Sequence, residues 1–130
     1  IVDSQQDWLK ESLDFLSERG YDVKTVSDLA TAIHRIREQE PDLVLVNHSK
    51  IRGPSELKHL LKGCNLPECR IVVMIAGNLQ VKKVREVLKA GAYDCVSKPF
   101  SPQILESTVR EQLGKSQKDR QNPIHQSRKG

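Results

Sequence analysis

Short apolar runs alternate along this chain with longer stretches in which apolar residues recur at helical spacing. That is the pattern of parallel strands interleaved with covering helices. Ile1-Val2 reads as the end of a strand whose start is expected upstream of Ile1. Leu9, Leu13 and Leu16 then share one face of a helix that stops near Gly20. Tyr21 to Val26 supplies the second strand. Ser27 is placed to cap a second helix, with Leu29, Ile33 and Ile36 on one face, and Pro41 breaks that helix. The run Leu43-Val44-Leu45-Val46 lies in a third strand from Asp42 to Val46, and Ile71 to Ile75 repeats the signature as a fourth. Uninterrupted apolar runs suit central parallel strands that are covered on both faces. Between them lies a short helix around Pro54 to Leu61.

Val81, Val84 and Leu88 mark a fourth helix ending at Ala90-Gly91, and Tyr93 to Ser97 forms a fifth strand. Ser101-Pro102 opens the last helix, serine at the cap and proline at the first helical position, with Leu105, Val109 and Leu113 as its stripe. The expected fold is α/β, five parallel strands and five helices. Right-handed crossovers make it a doubly wound, flavodoxin-like sheet of order 2-1-3-4-5. Ligands of such sheets gather at the carboxyl ends of the strands. Asp3, Ser4, Asn47, Ala76 and Lys98 all fall there, so pattern alone predicts a pocket.

A length of 130 residues fits one domain with a single core. No apolar stretch approaches the roughly 18 residues that a membrane span needs, and no secretory leader is visible, so a cytoplasmic protein is expected. The three cysteines, Cys64, Cys69 and Cys95, are odd in number and irregularly spaced, which argues for reduced thiols. The net charge of +4 sits at one end. From Gly114 onward Lys115, Lys118, Arg120, Arg128 and Lys129 face Asp119 alone, in a segment poor in apolar residues. Residues 1–113 therefore read as the domain and 114–130 as a basic linker or tail.

Val2-Asp3, Gly20-Tyr21, Pro41-Asp42 with its apolar run, Ala90-Gly91-Ala92 and Lys98-Pro99-Phe100 follow one another in an order that resembles the receiver domain of bacterial two-component response regulators. The resemblance spans most of residues 1 to 113. It implies a site in which a carboxylate nucleophile takes a phosphoryl group beside magnesium, held by paired acids, with a hydroxyl and a lysine on the remaining oxygens. The matching positions depart from that set. Asp3 and Ser4 stand at the paired acids, leaving one carboxylate. Asn47 stands at the phosphoacceptor, and an amide is too poor a nucleophile to form the acyl phosphate. The hydroxyl position falls on Ala76, or on Ile75 if the match is shifted by one residue, and the aromatic switch position falls on Cys95. Lys98 is kept, with Pro99, whose preceding peptide bond is typically cis in the family.

The resemblance therefore implies a degenerate receiver. It acts without phosphotransfer as a protein-interaction module, neither enzyme nor metal site, and needs no cofactor. Asp3 is expected to pair with Lys98, with residual magnesium binding as the alternative, and Asn47 to hydrogen-bond to either. An engineered change at Asn47 alone would leave Ser4, Ala76 and Cys95 unexplained. The contact face implied by the family is the fourth helix, fifth strand and fifth helix, with Lys82, Lys83, Arg85, Glu86, Lys89 and Tyr93 as exposed candidates for a protein partner, a fused output domain or a homodimer. The loop from His48 to Pro54 is a further polar contact surface. Alternatives are a receiver phosphorylated on another carboxylate and a nucleic-acid binder using the basic tail. Cys64 and Cys69 with His59 make a poor zinc set. Cys95 is expected buried and inert, and no histidine stands in a hydrolase constellation.

Overall fold

The computed structural model describes residues 1–4, 6–63, 70–77, 79–98 and 101–114. The elements run α1 (Gln6–Glu18), α2 (Leu29–Gln39), β1 (Leu43–Asn47), a 3-10 turn (His48–Lys50), α3 (Pro54–Gly63), β2 (Arg70–Ile75), α4 (Val81–Ala90), β3 (Asp94–Ser97) and α5 (Pro102–Gly114). The three strands pair in parallel in the order β1-β2-β3. Beyond β1, Val2 bridges to Val46 on one side and to Val26 on the other, both in parallel. The spatial order is thus Val26, Val2, β1, β2, β3, which is the expected 2-1-3-4-5. The first two of the five expected strands are each reduced to one bridging residue. Backbone bonds from Val2 to Leu45 (2.8 Å), from Asn47 to Val2 (3.0 Å) and from Asp3 to Val26 (3.0 Å) hold that edge.

Strand alternation sorts the core into two layers. Val44, Val46, Ile71, Val73, Ile75 and Cys95 pack on one face with residues of α2, α3 and α4, among them Leu29, Ile36, Leu57, Leu60 and Val87. Leu45, Val72 and Met74 pack on the other with Leu16 of α1 and with Leu105 and Val109 of α5. The apolar runs at β1 and β2 follow from burial on both sides: Val46, Val72, Val73 and Met74 have no exposed surface.

Helix ends depart from the sequence reading where a stronger cap was available. Asp28, not Ser27, caps α2, its carboxylate accepting from the Thr31 amide at 2.7 Å. That helix closes on Glu40 in the left-handed region (φ 47°), before Pro41 is reached. Gly91 (φ 115°) closes α4 as expected, in a conformation that costs glycine least. Ser101 caps α5, its hydroxyl accepting from Ile104 at 3.2 Å.

Two helical stripes differ from expectation. In α5 the buried positions are Leu105, Val109 and Gln112, while Leu113 is exposed. Gln112 replaces it because its amide donates to Asp94 Oδ2 at 2.9 Å, while its backbone carbonyl accepts from Arg70. In α4 only Val87 is buried; Val81 and Leu88 are 70% and 43% exposed. The tail from Lys115, Pro99, and the Cys64 and Cys69 pair lie outside the described residues.

Candidate functional site

The ends of the parallel strands carry Asp3, Asn47 and Lys98 to one place. Asp3 follows the bridging residue Val2, and Asn47 ends β1. Lys98 leaves β3 with its amide bonded to the Ile75 carbonyl at 2.8 Å. The three are buried, and Lys98 Nζ lies 2.8 Å from Asp3 Oδ2, the expected pairing. The Ser4 amide donates to Asp3 Oδ1 at 2.7 Å, and the Asn47 side chain is near enough to favour the charged carboxylate. Burial alone would push the Asp3 carboxyl up, but the Lys98 ammonium, the Ser4 amide and Asn47 outweigh it and hold it below the ordinary carboxylate range. Asn47 Oδ1 in turn accepts from the Ser49 amide at 3.0 Å, capping the 3-10 turn.

Trp8 of α1 closes the other side, its ring 4.9 Å from Lys98 Nζ. Trp8 is not among the site residues that the sequence suggested. The signal is available in hindsight: a helix starting at Gln6 carries Trp8 back over the end of the first strand. Ser12 was missed as well. It is wholly buried and bonds back to the Trp8 carbonyl at 2.7 Å, which satisfies its hydroxyl within the helix.

The remaining predicted residues divide. Ser4 and Ala76 lie at the same strand ends but are exposed. Cys95 faces the opposite way, into the layer under α4, and burial followed by the Asp94 charge pushes its thiol up to about 11. In a chain carrying Cys64→Ser and Cys69→Ser, Cys95 is therefore expected to resist a thiol reagent at pH 8, where only about one thiol in a thousand is ionised. Full reaction should follow denaturation; rapid labelling of the native chain would show that the α4 layer opens. A cavity of about 410 Å³ near Gly20, Tyr21 and Pro41 lies at the other ends of the strands and includes none of the site residues.

On the expected contact face, Lys82, Arg85, Glu86 and Lys89 are exposed and Lys83 is half-buried. Tyr93 is not an exposed member. It is 7% exposed and packs in the α1–α5 layer, with the Arg70 guanidinium 5.1 Å from its ring centre. It stands one residue before β3, outside the strand alternation that would put it on the same face as Cys95, and so enters the other layer. The charged positions gave no hint that Leu79, Val81 and Leu88 would be exposed beside them. His48, next to Asn47, reaches toward α4: its imidazole is held below its ordinary range by burial and then by Lys83, with Glu86 opposing.

The family model described as the response regulator receiver domain matches residues 1–110. The chain is 31% identical over 120 residues to a probable transcriptional regulator, ycf27, of Guillardia theta, covering 91% of this chain and 46% of that one. It is 31% identical over 111 residues to the DNA-binding response regulator MtrA of Mycolicibacterium smegmatis, covering 78% and 44%. The chain thus spans less than half the length of these relatives. Among solved structures, the receiver domain of NtrX from Brucella abortus superposes with a TM-score of 0.67 at 25% identity, covering 88% of this chain and 97% of that one. A response regulator from Thermotoga maritima shares the fold with a TM-score of 0.70 at 22% identity, covering 88% and 94%. The strand order, the site at the strand ends and the match over residues 1–110 place this chain in the response regulator receiver family of two-component signalling.

Proposed function

We propose that this receiver regulates without phosphotransfer, as a protein-interaction module whose pocket is held shut by its own side chains. The observation that carries the reading is the state of Asn47. It is buried at the end of β1, its oxygen taken by the Ser49 amide and its side chain beside the Asp3 carboxylate, whose charged form it favours. An amide so placed offers no nucleophile for a phosphoryl group. Magnesium does not fit the donor set either. Asp3 is the one carboxylate among Asp3, Ser4 and Asn47, and its Oδ2 faces an ammonium at 2.8 Å, where a divalent cation would meet like charge. The Lys98 ammonium, which the family uses on the phosphoryl oxygens, is held by Asp3 and lies against Trp8.

Contact with partners is then the remaining output, and α4 is the face that supports it best. Leu79, Val81, Val84 and Leu88 line a shallow apolar groove with Arg85 and Lys89 at its edge. Adjoining exposed apolar side chains rimmed by charge mark interaction surfaces more often than chance. A fused output domain or a separate regulatory protein are the partner classes that fit this reading, with the cytoplasm as its place of action.

The test is an amide NMR titration of the full chain with magnesium and beryllofluoride, a mimic of the aspartyl phosphoryl group. The amides near Asn47, Ala76 and Lys98 are expected to stay in place at millimolar ligand. Stoichiometric shifts there, followed by shifts in α4, would show a working phosphorylation switch and end the proposal.

A further inference from the structure

Two helices on opposite faces of the sheet carry complementary surfaces. On α1, Asp7, Glu11, Asp14 and Glu18 recur at steps of four, three and four, which sets all four carboxylates on one stripe. All four are exposed, and none belongs to an ion pair among the described residues. Half-buried Trp8 and Phe15 border the stripe, the Phe15 ring with the Arg19 guanidinium 3.4 Å from its centre. On α4, exposed Lys82, Arg85 and Lys89 form a basic stripe, interrupted at one edge by exposed Glu86 and net positive, with no ion pair among the described residues. The exposed apolar residues Val81 and Leu88 run alongside it.

We propose that the α4 groove docks a second copy of this chain, the basic and apolar strip of α4 lying against the acidic stripe and aromatic border of α1 in the next molecule. Charge complementarity selects this occupant over the alternatives. A two-fold pairing of α4 with α4 would set Lys82, Arg85 and Lys89 against their own copies with only Glu86 to offset them, and an excess of like charge across an interface is disfavoured. The basic tail carries the same sign as α4 and is repelled by it. Because α1 packs in one layer and α4 in the other, the contact is head-to-tail, and copies add one to the next in a row or ring. One helix against another buries less than the roughly 1,000 Å² of a stable interface, so the association is weak and concentration-dependent. It also weakens with salt, since the Debye length falls from roughly 10 Å at 0.1 M to 3 Å at 1 M.

The inference rests on α4 as the contact face proposed above. The experiment is sedimentation equilibrium of the full chain at low and high salt, with variants Lys82→Glu/Arg85→Glu on α4 and Glu11→Lys/Asp14→Lys on α1. These positions are exposed, and circular dichroism checks that each variant is folded. Average mass is expected to climb with concentration at low salt and return to the monomer at high salt. Each variant alone should remain monomeric, and an equimolar mixture of the two should associate again, because each restores the face the other lacks. A monomer under every condition overturns the second copy while leaving α4 open to another protein. Association that ignores the α4 reversal overturns the proposal and removes α4 as the contact face. If it then vanishes on deleting residues 115–130, the occupant of α1 is the basic tail.

Discussion

Replacing Lys98 with methionine is expected to destabilise the fold by roughly 3–5 kcal/mol, the usual cost of stranding one partner of a buried ion pair. Asp3 and Lys98 side chains are only 1% and 7% exposed, so water cannot take over the role of the missing ammonium. For a domain of this size that loss corresponds to a fall in Tm of about 10–25 °C. Asp3→Asn/Lys98→Met, which removes both charges, should recover most of it, because a neutral pair carries no ionic desolvation cost. The pH dependence separates this account from simple loss of packing. In the parent the Asp3 carboxyl is held below its ordinary value, so its contribution is present above the unfolded value near pH 4 and is lost as pH falls through the lower folded value. In Lys98→Met the sign reverses. Burial without the ammonium raises the carboxyl, the folded state takes up a proton first, and stability rises as pH falls. The gap between variant and parent should therefore narrow from pH 7 toward pH 4 in chemical denaturation, and a gap independent of pH would refute the ion-pair account. Trp8, the one tryptophan of the chain, provides an optical reporter because its ring lies against Lys98.

That pair was legible in the sequence because strand ends are fixed by pattern. Once Leu43 to Val46 and Ile71 to Ile75 are central strands, the residues following them and Val2 must converge. What the sequence hid was governed by side-chain direction. Tyr93 and Cys95, two residues apart, enter opposite core layers since Tyr93 lies just before β3 begins. The α4 stripe was misjudged for a related reason. Val81, Val84 and Leu88 do share one helical face, but the shallow contact with α3 and β3 buries Val87, one step around, keeps Val84 at the core's edge and leaves Val81 and Leu88 at the surface. Gln112 took the place expected for Leu113 because polar partners, Asp94 and Arg70, were already beneath it. Periodicity counts apolar residues and cannot foresee a buried glutamine whose side chain and backbone carbonyl find partners on two strands.

Restoring acids to the pocket should convert it into a cation site, and the double variant Ser4→Asp/Asn47→Asp is the decisive form. Substitution at Asn47 removes the amide that favours the charged Asp3 carboxylate and the neutral cap on the 3-10 turn. It also places a second carboxylate beside a buried first one, with Lys98 as the ammonium shared by both. In the presence of a chelator the double variant is therefore expected to lose about 2–4 kcal/mol, the range for crowding buried charge without enough counter-charge. Three carboxylates at adjoining strand ends are then a hard oxygen set of the kind magnesium accepts. Binding to the folded state alone stabilises it by mass action, so ten-fold excess over the dissociation constant returns about 1.4 kcal/mol. The parent, with its single carboxylate bound to Lys98, should show no such response between chelator and millimolar magnesium. Thermal unfolding of both chains across that range decides the matter. A magnesium-dependent rise in the parent would mean that Asp3 leaves Lys98 for the cation and that the pocket is not held shut. A double variant indifferent to magnesium would place the obstruction elsewhere, in the Lys98 and Trp8 contact that still covers the site.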